Sequence, residues 1–239
     1  MTTLYGVDGC KGGWLVSRSV PDGDALGIPS FSVTTDLRHI FEKAIQCQAI
    51  AIIDVPIGLC DAGARNCDLA ARKILRRPRS SSVFPPPFRR TLQATTYRKA
   101  CELNCRDGGP KVTQQTFNIM KGIRDVDGLI TPKLQNRVRE AHPEVTFAQL
   151  AGSPMKFRKR TVPGIVERLA VLAANGVNLT RETIQSERLR LGRSLVKPDD
   201  IVDAAACLVT AWRVYRKAYV VIPNSKQVDA EQLRMEIVS

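Results

Sequence analysis

The run Ala49-Ile50-Ala51-Ile52-Ile53-Asp54-Val55 constrains the fold most, because it sets apolar residues around a single acid with no alternation. A strand of that kind has both faces covered, as in the centre of an α/β sheet, whereas a half-solvated strand alternates. Pro56 and Gly58 end it. Earlier in the chain, Thr3-Leu4-Tyr5-Gly6-Val7-Asp8 reads as a second buried strand that also finishes in an acid. Gly9, Gly12 and Gly13 make a turn with Lys11 at its tip, Trp14-Leu15-Val16 starts the returning strand, and Phe31-Ser32-Val33-Thr34 supplies a third. Asp36 is placed to cap a helix from Leu37 to about Cys47, with Leu37, Ile40, Phe41 and Ala44 on one face. Three strands, a helix and a buried strand predict an antiparallel meander whose first strand takes the fourth in parallel. Asp8 and Asp54 would then leave the carboxyl ends of neighbouring strands, where open α/β sheets commonly carry their sites.

A length of 239 residues suits one domain, and the chain shows no internal repeat, so residues 1–239 are read as a single unit. Residues 60–139 interrupt the strand–helix pattern and are read as a largely helical or irregular insertion, a cap over the site. Helical signals run from Cys67 to Arg77 and from Tyr97 to Asn104. Between them the consecutive Pro85, Pro86 and Pro87 impose a stiff, extended loop. The core is expected to resume over Val138–Phe147, with Glu140-Ala141-His142-Pro143-Glu144-Val145 strand-like. A helix follows over Gly164–Ala174, then a polar, basic stretch over Glu182–Arg193. Pro198 and Asp199 open an apolar helix that runs to about Arg216. A last short strand is expected over Ala218–Ile222.

Two facing acids on that last helix need a reason. Asp200 and Asp203 are three apart and share a face of an otherwise apolar helix. Capping accounts for Asp199 or Asp200, but less well for Asp203, because the dipole effect fades within the first turn. With Asp8 and Asp54, four carboxylates could converge. Like charges at that density raise one another's pKa unless a cation neutralises them. Mg²⁺ or Mn²⁺ is the cofactor such oxygen ligands favour, and a pair of such ions suits in-line phosphoryl transfer. Taken singly, each Asp is equally accounted for as a strand end or a cap.

The balance of charge points the same way. Lys and Arg number 36 against 23 Asp and Glu, a formal net charge of +13, which favours a polyanionic partner such as DNA or RNA. No apolar run is long enough to span a bilayer, and Met1–Tyr5 does not begin a signal peptide. Seven scattered cysteines imply a reducing, cytoplasmic setting, and the spacing of Cys60, Cys67, Cys101 and Cys105 does not match paired zinc knuckles. Lys11, Arg79, Ser81, Arg89 and Arg90 are the candidate phosphate contacts, since arginine forks match phosphate oxygens. Arg72-Lys73 with Arg76-Arg77, and Lys156 through Arg160, are further basic clusters. His142 and Glu144 flank Pro143: Glu144 is either a further metal ligand or the acid of a helix start, and His142 either a proton carrier or a packed side chain.

The pattern Gly6-Val7-Asp8-Gly9-Cys10-Lys11-Gly12-Gly13-Trp14, with Asp54-Val55-Pro56-Ile57-Gly58-Leu59, Ser81-Ser82-Val83-Phe84-Pro85-Pro86-Pro87 and His142-Pro143-Glu144-Val145, resembles the "predicted RNase H-like nuclease" family, domain of unknown function 429. The strand-terminal Asp8 and Asp54 with Asp200-Ile201-Val202-Asp203 resemble the acidic pattern of the ribonuclease-H-like superfamily, closest to its Holliday-junction-resolvase branch. The resemblance covers nearly the whole chain. It implies a ribonuclease-H-like mixed sheet flanked by helices and a metal-dependent nuclease or phosphodiester hydrolase that uses Asp8, Asp54, Asp200 and Asp203. The alternatives are a nucleotide phosphohydrolase of the actin-like or sugar-kinase-like type, and a nucleic-acid-binding protein without catalysis on the same fold. Oligomeric state and natural substrate are not legible in the sequence.

Overall fold

A computed structural model describes all 239 residues. Its elements run β1 (Thr3–Cys10), β2 (Gly13–Ser19), a small ribbon of β3 (Pro21–Asp22) and β4 (Ala25–Leu26), β5 (Ser30–Thr34), α1 (Arg38–Ile45) and β6 (Ala49–Ile53). There follow α2 (Asn66–Arg79), α3 (Tyr97–Arg106), α4 (Gln114–Asp127), β7 (Val138–Glu140), α5 (Pro143–Ala151) and α6 (Val162–Ala174). The chain ends with α7 (Arg181–Leu191), α8 (Pro198–Tyr215) and a ribbon of β8 (Val221–Ile222) and β9 (Ile237–Val238). The central sheet has the order β5-β2-β1-β6-β7. β5, β2 and β1 are antiparallel, and β1, β6 and β7 are parallel, as the strand–helix–strand order requires. The chain is a mixed α/β fold with helices on both faces of this sheet.

Strand parity sorts the core into two layers. Leu4, Leu15, Ile50 and Ile52 pack with α8 and its neighbours on one face. Tyr5, Val7, Trp14, Val16, Ala51 and Ile53 pack on the other, with Ile40, Phe41 and Ala44 of α1. All five residues of β6 are buried, as its unbroken apolar run predicts. The meeting of α8 with β1 is unusually close. A Cβ added at Gly6 would lie 2.2 Å from the Ala204 carbonyl oxygen and 2.2 Å from the Leu208 nitrogen, so only glycine admits the helix at this depth.

Within 60–139, α3 and α4 are built into the α1 face, where Ala100, Leu103, Met120, Ile123 and Val126 join the same core. α2 packs instead on α5, through Cys67, Ala71 and Leu75 against Val145 and Ala148. The proline run lies between 3₁₀ turns at Ser80–Ser82 and Arg89–Gln93. Helix α4 was not expected from the sequence. Its interior Gly122 breaks the helical signal, and a Cβ there would stand 3.0 Å from the Trp14 ring, a tight contact that the glycine avoids.

Two expectations change. The strand-like reading of Glu140–Val145 is corrected: β7 stops at Glu140, and Pro143 opens α5 at its first turn, where a missing N–H is harmless. Asp36 does not occupy the cap position of α1, which is Leu37, although its Oδ1 accepts the Arg38 N–H at 2.9 Å.

Candidate active site

Register alone places the first two acids together. Val7 pairs with Ile53 in parallel, and the Asp54 N–H donates to the Val7 carbonyl at 2.9 Å. The next residues, Asp8, two before the end of β1, and Asp54, just past β6, therefore stand side by side where the parallel pairing of the two strands stops. They share the parity of Leu4 and Ile52, which is the α8 face. Their carboxyl groups are within hydrogen-bonding reach of each other. Helix α8 then lowers Asp203 towards them, because the next residue, Ala204, is the one seated on Gly6. Asp8 and Asp203 are 8% and 1% exposed.

Burial pushes the Asp8 carboxyl well above the ordinary range, and the charges of Asp54 and Asp203 push it further. Burial also raises Asp54, with the nearby His142 and Lys159 opposing. Asp203 is raised to about 6, again by burial first, while Lys159 restrains it and Asp54 and Glu144 add to the rise. The Lys159 ammonium bonds Asp203 Oδ2 and lies 3.8 Å from Asp199 Oδ2. Burial by itself would lower the Lys159 pKa, but Asp203 and Asp8 outweigh it and hold the lysine charged.

These shifts have a sign. A carboxyl raised in the folded state binds more protons there than when unfolded, so its contribution to stability falls as pH rises through the folded value. For Asp203 the penalty grows from about pH 4 and is complete a little above pH 6. Without added metal, Tm is expected to rise by roughly 2–4 °C between pH 7.5 and pH 5.5. Asp203→Asn should flatten that rise, and a melting series across this range checks it. A Tm that falls steadily over the interval in wild type would remove the account.

The other expected site residues divide. Asp200 serves as a cap: its Oδ2 accepts the Lys197 N–H at 2.8 Å, and it adds to the charge felt by Asp8 from further away. Glu144, weighed as a metal ligand, is held by Arg168, whose Nε and Nη2 approach its oxygens at 3.0 and 2.7 Å, and the pair is buried. Its role is to anchor α5 to α6. His142 is half-buried beside Asp54. Its Nε2 is 3.3 Å from the Ser82 carbonyl, and its Nδ1 is buried without a partner. Arg79 and Arg89 are corrected as phosphate contacts. Arg79 donates to the Met155 and Lys156 carbonyls at 2.9 and 2.7 Å. Arg89 joins Asp127 at 2.9 Å to Asp229, tying α4 to the C-terminal segment. Lys11 is exposed at the tip of the β1–β2 hairpin, Arg90 is mostly exposed with Asp107 at 3.9 Å, and Ser81 donates to the Pro78 carbonyl at 2.8 Å.

Sequence reasoning missed Lys159 as a site residue and saw Asp199 only as a cap. Asp199 is buried and receives Arg160 Nε at 3.1 Å. Lys156-Phe157-Arg158-Lys159-Arg160 showed only that the stretch is basic, not which of its side chains meets the acids. Residues 6–228 match the family described as "Protein of unknown function (DUF429)". The chain belongs to this family. The matched span of this DUF429 protein holds every residue of the carboxylate cluster. Neither a curated protein nor a solved structure matches it. No helix is long and apolar enough to cross a membrane.

The donor chemistry suits a hard divalent ion: Asp8, Asp54 and Asp203 offer only carboxylate oxygens, and Asp203 Oδ1 is buried without a partner. No three acidic, histidine or cysteine side chains close into a ligand cage, and a lysine ammonium already answers part of the negative charge.

Proposed function

We propose that this protein is a metal-dependent phosphodiester hydrolase of ribonuclease-H-like fold acting on nucleic acid. One observation carries the reading: Asp8 and Asp203, both buried, and the half-buried Asp54 gather at the carboxyl edge of parallel strands, where their like charges oppose one another. A buried site whose like charges push pKa values up is the kind of place where catalytic groups concentrate. The mixed sheet supports the fold assignment, since three antiparallel strands lead into two parallel ones with the acids at the crossover. The charge of +13 supports a polyanionic substrate.

Asp8, Asp54 and Asp203 would hold the ion, Mg²⁺ or Mn²⁺, which supplies a water of lowered pKa and charge for the phosphoryl oxygens. His142, with Nδ1 free beside Asp54, is the group positioned to take up or hand on a proton. Lys159 compensates part of the acids' charge through Asp203 and would be placed to meet a phosphate oxygen. The Glu144–Arg168 pair fixes α5 and therefore the His142 ring at its start.

The test sets single-stranded and duplex DNA, RNA, branched junctions and nucleoside triphosphates side by side, with Mn²⁺ or Mg²⁺ and with a chelator. Metal-dependent cleavage of a nucleic acid that disappears in Asp203→Asn is the expected result. Turnover of triphosphates alone would point to a nucleotide phosphohydrolase, and cleavage that persists in Asp203→Asn would place the chemistry elsewhere.

A further inference from the structure

Where α2 ends, its helix breaks at Arg76 and Arg77, and the break opens a hollow of about 720 Å³ lined by Arg72, Lys73, Arg76, Arg77, Ser80 and Ser81. Pro78 completes the lining, and no carboxylate takes part in it. Lys73, Arg76 and Arg77 are exposed and make no ion pair, unlike Arg89 or Arg168, whose charges are spent inside the fold. Arg76 has φ 52° and ψ 172°, a backbone state that essentially only glycine enters freely. An arginine held there presents its side chain where a regular helix would not, and such outliers collect at ligand sites.

Two tethers place the hollow beside the carboxylates. Ser82, one residue beyond the lining Ser81, offers its carbonyl to His142, which stands next to Asp54. Arg79 holds the Met155 and Lys156 carbonyls, on the loop that carries Lys159 three residues later. The hollow and the carboxylates are thus linked through the Ser82–His142 contact and through the loop that Arg79 holds. Unpaired lysine and arginine side chains around an open depression suit phosphates that keep part of their water, and the absence of aromatic residues gives no platform for stacked bases.

We infer that this hollow binds the sugar–phosphate backbone of a polynucleotide, one or more phosphates away from the bond addressed at Asp8, Asp54 and Asp203. The inference rests on the proposed hydrolase for its second anion, but the hollow's own binding does not require catalysis. It makes the substrate a polymer, because a chain with repeated phosphates can fill the hollow and present a diester at the carboxylates together.

The test is binding in chelator, where no cleavage occurs. Fluorescein-labelled 20-nucleotide single-stranded DNA and RNA and a 20-base-pair duplex are titrated by anisotropy across a series of KCl concentrations. Arg76→Glu/Arg77→Glu should weaken binding by roughly tenfold or more for every sequence. It should also reduce the slope of log K against log salt by about 0.7–0.9 for each phosphate that the protein no longer neutralises. Lys73→Glu/Arg77→Glu leaves the Arg76 backbone untouched and should do the same, with melting temperatures of both variants near wild type. Cleavage of a small diester, bis-p-nitrophenyl phosphate, should be unchanged in both. Lost polymer binding in the variants with no hydrolysis by any form would sink the hydrolase and leave the hollow's role standing. Polymer affinity and salt slope unchanged in both variants would overturn the inference. So would binding only to phosphatidylserine vesicles, which would reassign the hollow to a membrane surface.

Discussion

Gly6→Ala is expected to lower stability by at least about 3 kcal/mol, or roughly 6–12 °C in Tm, and in a marginal background to prevent folding. The new methyl would meet two backbone atoms of α8 at 2.2 Å, well inside contact distance. Backbone atoms cannot rotate away as a flexible side chain would. The helix cannot retreat as a body either, because its buried residues run from Asp199 to Ala211 and pack on the sheet and on α5 and α6. Any separation would open voids along the whole interface, and dense interiors transmit such strain rather than absorb it. Gly9→Ala is the matched control: nothing lies within 4 Å of a Cβ there, so its effect should stay within about 1 kcal/mol. Thermal melts of the two variants decide the matter. A Gly6→Ala protein that melts within 2 °C of wild type (on the order of 1 kcal/mol at most) would mean that β1 and α8 are not in the contact described.

Asp8→Asn is expected to move activity and stability in opposite directions. Asparagine keeps the shape of the side chain and removes the charge that would hold an ion. Loss of about 10³-fold or more in metal-dependent cleavage follows, on the order of 4 kcal/mol in transition-state stabilisation. In the metal-free protein the same change relieves repulsion. Asp8 is buried beside Asp54 and faces Asp203, so removing its charge eases both neighbours. The melting temperature should stay level or rise, the usual relation at a site whose charges are gathered for chemistry. A drop in Tm alongside lost activity would indicate simple unfolding, while full activity in a well-folded Asp8→Asn protein would remove Asp8 from the site.

How much of this was legible beforehand depends on the range of the forces concerned. Asp8 and Asp54 could be placed from the chain alone, because each closes an apolar run and side-chain parity is local. Two such strands in parallel register leave their acids little choice of position. Asp203 followed from its spacing on an apolar helix, for the same reason. The 140–145 segment misled because apolar residues either side of Pro143 satisfy strand and helix alike, and only the packing of Val145 and Phe147 into two cores selects the helix.

The long basic side chains lay beyond sequence reasoning altogether. Arg79, Arg89 and Lys159 come from equally basic, equally polar stretches, yet one ties down a loop, one is held between two acids and one stands among the carboxylates. A lysine or arginine reaches far enough to choose among several partners. Its choice depends on which carboxylates and carbonyls the finished fold leaves within reach and out of water, and those neighbours come from distant parts of the chain. The sequence by itself therefore determined the sheet, its two faces and the acids at its edge. The tertiary structure alone decided which positive charges are used up in holding that sheet together and which, around the break in α2, remain free to meet a partner.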